Sequence, residues 1–133
     1  MLGRRNAMPD PQARRISLAI GASRIAIGVG VFFATRPTLR AMGFGETGSR
    51  DGALARLGGG RDIALGAVTL AVRDDPSRLR GVMLASSACD VTDAIALGIA
   101  ARDPELRLAG LAGVLSGSAA AVAGFWAASR LDG

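Results

Sequence analysis

The sequence predicts an all-α fold, a bundle of four transmembrane helices, and three observations carry that reading. Four apolar runs of about twenty residues, the length that crosses a ~30 Å hydrocarbon core, fill most of the 133 residues. Arginine brackets the runs, and Pro37, Pro76 and Pro104 lie just past three of them, where helices stop. No run alternates with a period of two, and β-branched residues are few, which argues against strands.

The first run covers residues 16–35, between Arg14-Arg15 and Arg36-Pro37. It is too long for the core of a cleaved signal peptide, and Arg24 interrupts it. The second covers about 52–72, the third 81–101 and the fourth 108–129. The polar residues of the third run, Ser86, Ser87, Asp90, Thr92 and Asp93, sit near its middle with apolar ends. A soluble bundle helix needs a polar face along its whole length, so central placement favours a membrane bundle. The longest connection, 36–51, contains Leu39, Met42 and Phe44 and suits a short interfacial helix. Residues 1–15 read as a basic, flexible tail on a single domain spanning 1–133.

Arginines in short flanks orient a membrane protein. Arg4, Arg5, Arg14, Arg15, Arg73, Arg78, Arg80 and Arg130 fall on one side, against Arg36, Arg40, Arg50, Arg102 and Arg107 on the other. Eight against five places both termini in the cytoplasm and the chain, as a multi-pass protein, in a bacterial inner membrane.

Composition excludes several function classes. The net charge of +5 comes from 16 arginines spread along run flanks, with four Phe, one Trp and no Tyr to stack on bases, so nucleic acid is not an expected partner. Cys89 is the only cysteine and there is no histidine, which removes disulfides and the usual ligands or bases of zinc, haem and nucleophilic sites. No metal, cofactor or catalytic residue is assigned.

The informative residues are the charges inside the runs. A charge in the bilayer core costs roughly 2.5–3.5 kcal/mol and marks a candidate site. Arg24, Arg61, Asp62, Asp90 and Asp93 are such residues, and Arg56 near Arg61 brings the set to neutrality. That balance predicts an interhelical Arg/Asp network, for which the forked guanidinium is suited. Asp90 and Asp93, three apart, share a helical face with Ser86.

Three spans echo one another. Arg24-Ile-Ala-Ile-Gly28 parallels Asp62-Ile-Ala-Leu-Gly66, and Asp93-Ala-Ile-Ala-Leu-Gly98 follows with one extra alanine. Gly58, Asp62 and Gly66 have the spacing that lets helices approach closely, while Gly58-Gly59-Gly60 suggests a kink. On the fourth run, Gly110, Gly113, Gly117, Ala121 and Gly124 form a small-residue stripe, suited to packing in the bundle or to a homodimer or larger membrane complex.

The string from Arg56 to Gly66 resembles a motif of small four-helix bacterial integral membrane proteins of unknown function, and the resemblance extends over most of the chain from Ile16. The DoxX-like four-helix membrane proteins are similar more distantly. The resemblance implies a membrane bundle and no reaction.

Three functions fit these residues. The first is a structural or accessory membrane protein with the charges as a packing network. The second is a small dimeric transporter in which Asp90 and Asp93 exchange a proton. Small multidrug transporters carry a Glu in the first span where this chain has Arg24, which points to an anionic or amphipathic substrate. The third is a membrane enzyme using an Asp as general acid.

Overall fold

Helix α1 (Pro11–Phe33) starts where local chemistry allows a helix to start. The Asp10 carboxylate accepts the Gln12 N–H at 2.9 Å, and Pro11 occupies a first-turn position that needs no donor. The computed structural model describes residues 10–131. Residues 1–9 of the expected tail, with Arg4 and Arg5, lie outside the described residues, whereas Arg14 and Arg15 belong to α1.

The chain breaks at Ala34 and resumes as α2 (Thr35–Ala41), the short helix expected in the first connection. Pro37 lies past the end of α1 and sits in the first turn of α2. A glycine ends α2: Gly43 N–H donates to the Arg40 carbonyl and Phe44 N–H to the Leu39 carbonyl, both at 3.0 Å. That crossed pair requires the positive φ of +89° at Gly43. Helix α3 (Ser49–Ala71) follows, with Asp51 reaching back to the Gly48 N–H at 3.2 Å. It runs through Gly58-Gly59-Gly60 as one continuous helix. Helix α4 (Pro76–Ala100) opens on Pro76 with Asp75 capping the Arg78 N–H at 3.0 Å, so this proline both lies past the end of α3 and starts the next helix. Helix α5 (Arg107–Leu131) completes the chain. Three of these helices, α1, α4 and α5, are long and apolar enough to cross a membrane.

The helices pair as two antiparallel hairpins, α1 with α3 and α4 with α5. Both seams repeat every seven residues. Gly21 meets Gly66 and Thr69, Gly28 meets Gly59, and Thr35 approaches Gly52. In the second hairpin Gly124 meets Ser87, Gly117 meets Ala94, and Gly110 meets Ala101. A seven-residue repeat of small side chains keeps one contact stripe aligned along two slightly crossed helices. The approach is close: a methyl group on Gly28 would lie 2.6 Å from the Gly59 carbonyl oxygen, and one on Gly110 2.7 Å from the Leu97 carbonyl oxygen. The stripe expected to serve bundle or dimer therefore faces α4 within the same chain, and a dimer seam on those glycines would have to displace α4.

Between the hairpins, α1 touches α5, whereas α3 barely meets α4. One end of this junction is filled by Ala13, Leu79, Met83, Ala127, Ala128 and Leu131, with Trp126 packed against them. The same end holds the α3–α4 turn, tied to α1 by Arg14, which donates to the Arg73 carbonyl at 3.1 Å and to Asp74 at 2.9 Å. Large apolar side chains such as Phe33, Leu57, Leu115 and Val122 point outward, while Ser17, Arg24, Thr69, Ser86, Ser87 and Asp90 are buried.

Candidate functional site

The charges of three helices meet in the sparse junction between the hairpins. Arg24 projects from the middle of α1 and is only 7% exposed. One guanidinium nitrogen donates to Asp62 Oδ1 on α3 at 2.7 Å. The other donates to Asp90 Oδ1 on α4 through a short bond and to the Ser86 carbonyl at 3.3 Å. A single arginine thus bridges three helices. Arg61 on α3 forks onto Asp93 of α4, at 3.0 Å to Oδ1 and 2.5 Å to Oδ2. It also lies 3.5 Å from Asp62 Oδ1. The result is one alternating chain of charges running Asp90, Arg24, Asp62, Arg61, Asp93.

Each member is there for a local reason. Arg24 falls three residues after Gly21 and four before Gly28, so the seam contacts flank its position on α1. Asp90 and Asp93 share a face of α4, as their spacing requires. Helical register points each at an arginine, and a desolvated charge is tolerated only when so paired.

The structure brings together five of the six expected residues. Arg56 is the exception and corrects the charge balance. It is exposed, and its Nε donates to the Phe32 carbonyl at 3.2 Å, near the open C-terminal end of α1. A cation beside a helix C-terminus is favourable in its own right, which explains why Arg56 stays with α1. With Arg56 elsewhere, the network holds three carboxylates and two guanidinium groups, not a neutral set. Among the described residues, Arg24 Nε, Ser86 Oγ and Ser87 Oγ are buried without a protein partner.

The network is also a wall. Arg24, Asp62, Asp90 and Asp93 line a cavity of about 420 Å³ whose other walls include Ile20, Leu97 and the small residues Ala112, Gly113, Gly117 and Ala120 of α5. A second cavity of about 820 Å³ adjoins it, sharing Ile27, Met42, Phe44 and Asp62. This outer space lies between α2, the 42–47 turn, the first half of α3 and the α4–α5 turn. Sequence reading finds the charges but not these spaces, nor the rim acids Glu46, Asp51, Asp103 and Glu105. The acids are visible in the sequence as loop and helix-start residues, but only the fold gathers them around one opening.

No group of three or more potential metal-ligating side chains occurs among the described residues. No family model matches the chain, and neither does any curated protein or solved structure.

Proposed function

We propose that the chain is a four-span bacterial inner-membrane protein whose Arg/Asp network locks its two hairpins together, in a structural or accessory role. The observation that carries the lock is the bridging of α1, α3 and α4 by Arg24, at a junction where α3 and α4 otherwise scarcely touch. Helix α3 is less apolar than the other long helices because it carries Arg56, Arg61 and Asp62. Its 23 residues extend about 34 Å at 1.5 Å each, enough to cross. Its seam with α1 runs nearly the full length, so a membrane that takes α1 also takes α3. The Asp10 N–H donates to the Arg130 carbonyl at 3.4 Å, which joins the start of α1 to the end of α5. That contact supports four crossings, which put both termini on one side; three would put them on opposite sides. The arginine bias assigns this end to the cytoplasm. Polar side chains inside and large apolar ones outside are what a lipid solvent favours.

Two experiments test this. Reporters fused at the N- and C-termini should both read cytoplasmic; opposite sides would overturn the four-span topology. Arg24→Met should destabilise the bundle by about 3–5 kcal/mol, because it strands two buried carboxylates. Adding Asp62→Asn and Asp90→Asn should restore most of that loss in unfolding measured in detergent. A single Arg24→Met variant as stable as the parent would sink the lock.

A second reading, a small carrier or binding protein, is favoured by the two adjoining cavities that the network lines. Their size suits a small organic ligand.

A further inference from the structure

The charge left over in the network indicates what those cavities would take. The alternating chain begins and ends on aspartate, so its two arginines cannot neutralise its three carboxylates. Asp62 and Asp90 each accept through Oδ1 alone, and no donor among the described residues reaches the second oxygen of either. Both aspartates line the inner cavity, and Asp62 lines the outer one as well. The arginines, by contrast, spend their terminal nitrogens on aspartates. An incoming anion would have to break those pairs, since the unpartnered Nε of each arginine is buried, whereas a cation meets carboxylates with an oxygen to spare.

The approach carries the same sign. Glu46, Asp51, Asp103 and Glu105 stand in the wall of the outer cavity. Some of this charge is spoken for: Glu46 pairs with Arg40, Asp51 caps the Gly48 N–H, and Asp103 accepts the Glu105 N–H. Arg36, Arg40, Arg50, Arg102 and Arg107 lie at this end of the bundle, yet none of them lines either cavity. Arg61 lines the outer cavity and Arg24 the inner one, but both are paired with aspartates. Carboxylates outnumber guanidinium groups in each wall, and a cleft with an excess of one sign of charge concentrates ions of the other. The rest of the inner wall is mainly apolar, with Ile20, Ile27, Leu97 and Phe44 beside Ser23 and Ser116. A small hydrated metal ion has no use for such walls, but an organic cation does.

We propose that the two adjoining cavities bind a monocation with an apolar body, its charge held by the carboxylate oxygens of Asp62 and Asp90 that Arg24 does not occupy. This rests on reading the cavities as ligand space and is independent of the lock, which is judged by stability alone. The sign also reverses the substrate expected from Arg24 as an isolated charge.

The test uses the full chain in nanodiscs of zwitterionic phosphatidylcholine, with empty nanodiscs as the blank. Saturable binding of tetraphenylphosphonium is compared with that of tetraphenylborate, a match in shape with opposite charge. The phosphonium should bind at least about tenfold more tightly, and Asp62→Asn should weaken it by roughly tenfold. Because Asp62→Asn also touches the lock, Ala120→Phe serves as a second variant. It fills the inner cavity from α5, and should abolish binding while the thermal unfolding of the chain stays close to that of the parent. Asp103→Asn with Glu105→Gln should weaken binding by about threefold and flatten its salt dependence. No saturable phosphonium binding, borate binding equally well or better, or phosphonium binding that survives in a folded Ala120→Phe or Asp62→Asn chain would each overturn the proposal. Loss of binding without loss of the Arg24 stability effect would remove the ligand and leave the lock standing.

Discussion

The two ends of the junction between the hairpins are built from the same four long helices and come out differently. At the end holding the termini, Leu79, Met83 and Leu131 fill the interior with Trp126 packed against them. The space that remains there is an open surface groove between Gln12 and Ile16 of α1 and the Trp126 side of α5. Towards α2, α5 offers Ala109, Ala112, Gly113, Ser116, Gly117 and Ala120, and a cavity remains. The charged chain stands at the boundary. The small residues of α5 have two consequences at once: they let α5 seat tightly on α4, and they leave nothing large to reach across to α1. A close seam within a hairpin and a void between hairpins are two sides of one choice of side-chain size.

Substitutions can break or sharpen that contrast. The largest difference is expected from removing bulk at each end. Met83→Ala at the filled end should cost about 2–4 kcal/mol, since it leaves a hole among well-packed neighbours. Phe44→Ala beside the cavity should cost less than about 1 kcal/mol, because one side of the ring already lacks neighbours. Chemical unfolding of both variants in the same detergent compares them directly, and equal losses would mean that the two ends are packed alike. Next comes Gly66→Ala, in the α1/α3 seam. Its methyl group would be forced against the Gly21 carbonyl oxygen and the Ile25 side chain, and a loss of about 1–3 kcal/mol is expected, as for overpacking in general. The smallest effect belongs to the outer end of the charge chain. Arg61 and Asp93 side chains are 37% and 39% exposed, against 9% and 11% for Arg24 and Asp90. Solvent screens the outer pair, so Asp93→Asn should cost under about 1 kcal/mol. A loss as large as that of Arg24→Met would show that the two pairs share one environment.

The repeated strings show how far a linear reading reaches. Arg24 to Gly28 and Asp62 to Gly66 each set a charge four residues before a glycine. In the structure each glycine goes to the seam within the hairpin, while each charge goes to the junction between hairpins. The separation of about one turn that puts a charge and a glycine on neighbouring sides of a helix is visible in the sequence. That the Arg24 glycine meets Gly59, and that Arg24 itself meets Asp62 and Asp90 together, is not. Arg56 shows the converse error. Summing charges gives it a place in the network, but position along α3 takes it to the end of α1, where a carbonyl receives it. The prolines carry more than a linear reading takes from them: helices do stop before Pro37 and Pro76, but both also serve as helix-start residues, of α2 and α4, a role that a missing N–H allows equally well.

By itself, the sequence determined the helices, their apolar surfaces and the identity of the five inward charges, because hydropathy, capping and helical spacing act along a single chain segment. Tertiary structure alone decided which helices pair, which charge faces which, that one carboxylate is left in excess, and where a cavity opens. Those depend on the relative placement of side chains far apart in sequence, and the sizes of seam residues such as Gly28 and Gly117 fix that placement only once a partner helix lies against them.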